Sequence, residues 1–204
     1  MPSRRRNRIG KARELFRRYG GVLRTRDALR LGIHPRTLYE MRESDALEQL
    51  SRGLYRLSDL PKLGNPDLVS VSLKIPRGVI CLISALAFHD LTTQVPHQVY
   101  VALPRGTEPP RVHFPPTRAF WFAGPAFTEG VEVYKLDGVP VRVYSAEKTL
   151  ADCFKYRNKI GLDTAVEAVK LYRERRKIKT DDLMRYAAVC RVKKIIRPYL
   201  EALL

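Results

Sequence analysis

Signatures of the common enzyme classes are absent from this sequence. It has no GxxxxGK[ST], GxGxxG, HExxH or GxSxG pattern, which argues against phosphate-loop and dinucleotide enzymes, zinc proteases and serine hydrolases. The 4 histidines are scattered without the spacing that metal ligands show, so no metal and no other cofactor is expected. We therefore expect no enzymatic activity and assign no catalytic residue.

Cysteines and long apolar runs are also scarce. The three cysteines, Cys81, Cys153 and Cys190, are odd in number and far apart, which excludes a CxxC pair and a paired disulfide framework. The most apolar window, residues 79–91, is too short and too polar to span a membrane. The basic start has no apolar stretch after it, as a secretory signal would. These features predict a cytoplasmic protein with reduced thiols and no membrane partner.

Positive charge is what the chain has in excess. Its 204 residues include 38 Lys and Arg against 21 Asp and Glu, a net charge of +17, which makes nucleic acid a leading partner. The charge lies at the two ends, since residues 1–60 carry +8, residues 61–144 carry +2 and residues 145–204 carry +7. Two proline-containing breaks in residues 58–67 predict a linker, and hence a domain at 1–62 and another at 63–204.

The first domain has the element order of a winged helix-turn-helix. Ala12, Leu15, Phe16 and Tyr19 predict one apolar helix face, and Gly20 and Gly21 end that helix. Thr25 has the chemistry of an N-cap for a short helix over 26–31, with Ala28 and Leu29 facing the first helix. Gly32 ends it, Ile33 fills the corner, and Pro35 begins a third helix that runs to about Ser44. Two short strands around Ser51, Arg52 and Gly53 then predict the wing.

The third helix is the predicted recognition helix. At 100° per residue, Leu38, Met41 and the stem of Arg42 form the core side, and Thr37 lies at the edge. Arg36, Tyr39, Glu40 and Glu43 form the groove side, where Arg36 suits guanine and Glu40 suits cytosine. The predicted DNA-binding residues, including the wing and the phosphate contacts, are Arg24, Arg26, Arg36, Thr37, Tyr39, Glu40 and Arg52. A flexible basic arm, Arg4 to Arg8, adds sequence-independent phosphate contacts.

The second domain is predicted to be α+β, with a mixed sheet early and a helical C-terminal part. Strands are expected at 69–75, 97–103, 111–114 and 119–124, and a hairpin at 131–144 turns at Asp137-Gly138. A buried helix is expected over 79–89. Helices follow from Ser145, around 162–172, from Thr180, and over 195–203, where the last is bent or restarted at Pro198.

Two hypotheses for the charged residues of the second domain stay open. Asp137, Glu147 and Lys148 fit a nuclease pattern, although a turn role for Asp137 and a helix-start role for Glu147 explain them better. The basic helices instead favour an anionic partner. The residues of that surface are Lys148, Lys155, Arg157, Lys159, Arg173, Arg176, Lys193 and Lys194.

Both halves of the chain resemble AbiEi family antitoxins. The first resembles the N-terminal winged helix of that family through "GVLRTRDALRLGIHPRTLYEMRESDALEQLSRGLYRLSD". The second resembles its antitoxin domain through "VICLISALAFHDLTTQVPHQVYVALP", "GVPVRVYSAEKTLADCFKYRNKIGLDTAVEAV" and "IRPYLEALL". The family has no agreed catalytic residues to transfer.

This resemblance implies an antitoxin of a type IV toxin-antitoxin, or abortive infection, system. Its N-terminal domain would bind double-stranded DNA at promoter inverted repeats and repress its own operon. Its C-terminal domain would counter a nucleotidyltransferase-like toxin without a stable complex. The alternatives are a nuclease guided by a winged helix, and a winged-helix regulator whose second domain binds nucleic acid or a ligand under the strand of Trp121 and Phe122.

Overall fold

A computed structural model describes residues 2–61, 64–109, 111–175 and 179–203, without the side chains of residues 2–5, 51 and 203. The chain divides into two compact units. The first comprises Met1–Ser70 with Lys135–Pro140, and the second comprises Val71–Tyr134 with Val141–Leu204. The boundary expected between residues 62 and 63 falls outside the described residues, so the division at that point stays a prediction.

The first unit has the order helix, strand, helix, helix, strand, strand. These elements are α1 (Pro2–Arg18), β1 (Val22–Arg24), α2 (Thr25–Arg30), α3 (Pro35–Glu43), β2 (Leu47–Ser51) and β3 (Leu54–Leu57). The strands form one antiparallel sheet in the order β1-β3-β2. The predicted winged helix-turn-helix layout is therefore present. β1 is an additional strand, which pairs with β3 of the wing.

The core of the first unit lies between the three helices and the sheet. Phe16 and Met41 are fully buried, and Leu38 and Ile33 are nearly so. Gly32 has a φ of +86°, a left-handed conformation that favours glycine, and it ends α2 as predicted. The remaining core members are Ala12, Leu23, Ala28, Ala46, Leu47 and Leu57.

Several local predictions in the first unit were wrong. The basic arm is not a flexible tail, because α1 already begins at Pro2; proline suits a first helical turn and arginine is a good helix former. Thr25 is the first residue of α2 and Arg24 is its N-cap, since β1 ends directly before it. Tyr19 and Leu29 are exposed, because α1 ends at Arg18 and only Ala28 of α2 turns inward.

The second unit is a five-stranded mixed sheet with helices, as predicted. Its elements are α4 (Pro66–Lys74), which begins in the first unit, β4 (Val79–Ile80), α5 (Leu82–Phe88), β5 (Val99–Pro104), β6 (Thr117–Phe122), α6 (Pro125–Thr128), β7 (Val131–Leu136), β8 (Val139–Tyr144), α7 (Ala146–Lys155), α8 (Arg157–Ile160), α9 (Leu162–Arg175), α10 (Thr180–Val189) and α11 (Lys193–Leu203). The strand order is β6-β5-β4-β8-β7. β4 pairs antiparallel with β5 and parallel with β8, and β5 pairs parallel with β6.

The β7–β8 hairpin, whose turn belongs to the first unit, and the helix starts at Ser145 and Thr180 were predicted correctly, and two strands were not. Asp137 and Gly138 both have positive φ between β7 and β8, and Ser145 Oγ accepts the Lys148 N–H at 3.2 Å as the N-cap of α7. Residues 111–114 form no strand. The run 69–75 lies largely in α4, because Pro66 and Asp67 supply a helix first turn and packing overrides the β-propensity of its valines.

Two further differences concern the helices. The buried helix begins only at Leu82, because Val79 and Ile80 join the sheet as β4. The last helix runs through Pro198 without a restart. In the described part of the chain, no helix combines the length and the apolar character needed to cross a membrane.

Candidate nucleic-acid interface

The buried side of α3 differs from the predicted one. Leu38 and Met41 are buried as expected, but Thr37 and Glu40 are buried too, at 4% and 8% exposure. At 100° per residue the buried arc is therefore centred between Thr37 and Met41, rather than on the side of Arg42. The burial of these two side chains does not fit the predicted contact of Thr37 with a phosphate or a thymine methyl, or that of Glu40 with cytosine.

The exposed side of α3 carries Arg36, Tyr39, Arg42 and Glu43. The guanidinium carbon of Arg42 lies 4.9 Å from the centre of the Tyr39 ring, a cation-π contact on the surface of the helix. Sequence reasoning placed Arg42 on the core side and so missed it. Helical periodicity could have identified it, because Tyr39 and Arg42 are three residues apart and lie on one face.

The start of α3 is firmly capped. Its N-cap is His34, whose Nδ1 accepts the backbone N–H of Arg36 at 3.2 Å, and Pro35 supplies the first helical residue. Because the N-terminal residues of a recognition helix contact base edges, this cap fixes the backbone that carries Arg36. The side chain of Arg36 itself is 77% exposed.

Arginines of the wing and of the start of α2 lie close together. Gly53, with a φ of +71°, makes the tight turn after Arg52, and its carbonyl accepts the Thr25 backbone N–H at 2.8 Å. This bond places Arg52 beside the segment that carries Arg24 and Arg26. Arg52 and Arg26 are exposed, and Arg26 Nε lies 3.4 Å from Asp27 Oδ1. Three of the predicted phosphate-contacting residues therefore lie at one corner of the first unit.

A winged helix with an exposed cationic face on its third helix is typical of transcriptional regulators. Residues 11–58 match a family model described as "Transcriptional regulator, AbiEi antitoxin". Over this segment the chain is similar to AbiEi antitoxin regulators. The match confirms the family resemblance drawn from residues 21–59 and supports a regulator and antitoxin role. No curated protein matches the chain.

Outside the matched AbiEi segment, Lys148 was expected on a basic surface, and that expectation was wrong. Lys148 and Asp152 lie one helical turn apart on α7 and are both fully buried, with Nζ 2.6 Å from Oδ2. The thiol of Cys190, the residue directly after α10, donates to Asp152 Oδ1 at 3.1 Å. Burial raises the pKa of Asp152 while the Lys148 ammonium opposes that rise. Lys148 is therefore part of the core and cannot contact a partner.

Glu147 and Lys148, two members of the nuclease pattern considered above, are buried and paired with other residues. Glu147 is buried and accepts the hydroxyl of Tyr172 at 2.8 Å, which ties the first turn of α7 to α9. Asp137 occupies the turn of the β7–β8 hairpin. Phe122 packs against Tyr144 and Tyr156 with ring centres 5.7 and 5.3 Å apart, so aromatic rings surround the residue under which a ligand was considered.

A smaller basic group than predicted lies beside the edge strand β6. Arg118 and Lys159 lie 5.3 and 5.8 Å from the centre of the Phe120 ring, and Lys155 and Lys159 lie 5.8 and 5.9 Å from that of Tyr156. In the described parts of the chain, none of these three cations forms an ion pair. We name Arg118, Lys155 and Lys159 the basic edge cluster. Arg118 was missed because it is distant in sequence from the basic helices.

The other predicted members of the basic surface are not part of this cluster. Arg157 donates to the carbonyl of Phe154 at 2.9 Å and so completes the end of α7. Arg173, Lys193 and Lys194 are exposed on α9 and α11. Arg176 lies outside the described residues.

Proposed function

We propose that this protein is a type IV antitoxin that represses its own operon. The first unit binds inverted repeats in double-stranded promoter DNA, with α3 in the major groove and the wing on the backbone. The observation that supports this most strongly is the exposed side of α3, where Arg36 and Arg42 stand on a helix capped at its start by His34.

The arginines of the wing corner supply the sequence-independent part of this binding. Arg52 follows the strand β2 at the turn of the hairpin, where a side chain can reach a phosphate or the minor groove. Arg26 is also exposed. The hydrogen bond from the Thr25 N–H to the Gly53 carbonyl holds the segment of Arg26 beside the wing. Both contacts neutralise phosphate charge and therefore release counterions, which makes their contribution fall with salt.

Replacing Arg26 and Arg52 with alanine together will weaken binding to promoter DNA and to random DNA by similar factors. The slope of log affinity against log salt will fall by about two, since each phosphate contact contributes about 0.9. Fluorescence anisotropy over a salt series measures both quantities. Arg105→Ala, which removes an exposed arginine of the second unit, is the control and should keep the full slope. An unchanged slope in the double variant would exclude these arginines from the interface.

The second unit carries the antitoxin role in this proposal, through the basic edge cluster. Its three cations form no ion pair in the described part of the chain, and they lie over aromatic rings that limit their movement. Cations placed in this way suit an anionic partner. In this proposal the antitoxin counters a nucleotidyltransferase-like toxin and forms no stable complex with it.

Replacing Arg118, Lys155 and Lys159 with glutamine will abolish rescue of cells that express the toxin encoded beside this gene. Promoter binding by the same variant should stay within about twofold, because the first unit is unaltered. Growth after co-expression and anisotropy on promoter DNA measure the two activities. The control is Arg105, Arg111 and Lys170 replaced together by glutamine, which removes equal charge from exposed positions outside the cluster. Full rescue by the cluster variant would overturn the assignment.

A further inference from the structure

Arg36 and Glu40 form an ion pair in which the arginine side chain is exposed and the glutamate side chain is nearly buried. Arg36 Nε lies 3.3 Å from Glu40 Oε1, one helical turn further along α3. The Arg36 side chain is 77% exposed, whereas that of Glu40 is 10% exposed. The carboxylate is therefore nearly buried, and the guanidinium extends from it toward solvent.

The stability of α3 does not explain this arrangement. An acidic residue four positions before a basic one stabilises a helix more than the reverse order, and this pair has the reverse order. Glu40 also lies in the last turn of α3, where the helix dipole disfavours a negative charge. Burying a carboxylate costs desolvation energy, which an ion pair offsets only when its geometry is good. The stability of the helix therefore does not favour a carboxylate at position 40.

We propose that Arg36 recognises a guanine in the major groove and that Glu40 is the positioning residue that orients its guanidinium. The inference rests on the proposed binding of DNA through α3. An ion pair through Nε leaves Nη1 and Nη2 as donors, and two parallel N–H groups match the O6 and N7 acceptors of guanine. An arginine fixed by a carboxylate also loses less side-chain freedom on binding, since part of its order exists before DNA arrives.

In this arrangement Glu40 acts on Arg36 and does not itself contact a base. A glutamate facing the groove would accept from the amino group of cytosine, and its removal would change the preference at a cytosine. Glu40 faces inward, so its removal should change the preference at the guanine that Arg36 contacts. Glu43, exposed on the same helix, provides a carboxylate with the same charge and no part in the pair.

The test uses the full chain and duplex DNA of its own promoter, in which each guanine is replaced singly by 7-deazaguanine, which lacks the N7 acceptor. The unaltered protein should lose about tenfold in affinity at one guanine of each half-site. Arg36→Ala should lose this penalty entirely, and Glu40→Met should reduce it to less than about threefold while still binding promoter DNA. Glu43→Met should keep the full penalty.

Glu40→Gln is the second variant, because it keeps the size of the side chain and removes the charge that pairs with Arg36, whereas a lysine at position 36 would still donate to guanine. It should fold like the unaltered chain by circular dichroism and reduce the 7-deazaguanine penalty even if Glu40→Met proves unstable. A full penalty in the folded Glu40 variants, or in Arg36→Ala, would overturn the inference and leave promoter binding intact. Equal affinity of the unaltered chain for promoter and random DNA would overturn the proposed function, and this inference with it.

Discussion

Lys148→Ala will destabilise the second unit by about 3–5 kcal/mol, the usual cost of leaving a buried charge without its partner. The variant keeps Asp152, which is fully buried and retains the hydrogen bond from the Cys190 thiol. Lys148→Ala also removes the ammonium that lies 4.2 Å from the centre of the buried Tyr144 ring. Urea unfolding followed by circular dichroism measures the change in the free energy of unfolding.

Replacing both partners separates the ion pair from the volume it fills. The double variant Lys148→Met with Asp152→Leu should be far more stable than Lys148→Ala or Asp152→Ala, because apolar side chains of similar size leave no buried charge. Lys159→Ala is the control, since Lys159 is exposed and its loss should change stability by no more than about 0.5 kcal/mol. A Lys148→Ala protein as stable as the Lys159→Ala protein would contradict the buried position of this pair.

Phe16→Ala will unfold the first unit and leave the second unit folded. Phe16 is fully buried in the cluster between α1, α3 and the sheet, and truncating a buried phenylalanine costs about 3–5 kcal/mol. A unit of this size is stabilised by only about 4–11 kcal/mol, at about 0.05–0.15 kcal/mol per residue. We therefore expect the first unit's unfolding transition to move to much lower temperature and promoter binding to disappear at 37 °C.

The second unit provides the internal comparison for this prediction. Its single tryptophan, Trp121, reports its unfolding by fluorescence, and that transition should not move in the Phe16→Ala protein. Tyr19→Ala, which alters an exposed aromatic side chain of the first unit, should change neither transition by more than about 0.5 kcal/mol. Equal shifts of both transitions in the Phe16 variant would contradict the division into two units.

Most of the first unit could be predicted from its sequence, because its signals are local. Gly32 and Pro35 mark a helix end and a helix start through their own backbone geometry, and Arg52-Gly53 marks the hairpin. The rotation of α3 about its axis could not be predicted, because Thr37 and Glu40 are polar and yet buried. Their burial depends on neighbours from other elements, so Arg42 was placed on the wrong side.

The candidate sites were only partly predictable for the same reason. Lys148 belongs by sequence to a run of basic helical residues, and its burial depends on Asp152, Tyr144 and Cys190, which only the fold brings to it. Arg118 joins Lys155 and Lys159 because β6 lies beside the rings that those lysines contact. No spacing in the sequence connects these residues.

By itself the sequence determined the order of the winged helix, the Asp137-Gly138 hairpin, the capped start of α7 and the family resemblance over the first unit. Each of these depends on backbone preferences or motifs within a few residues. The tertiary structure decided which charges are exposed. It buried Glu40 beneath Arg36, enclosed Lys148 with Asp152, and joined Arg118 to two distant lysines. Burial depends on packing between elements far apart in the chain, and a charged side chain carries no local signal of whether such packing will enclose it.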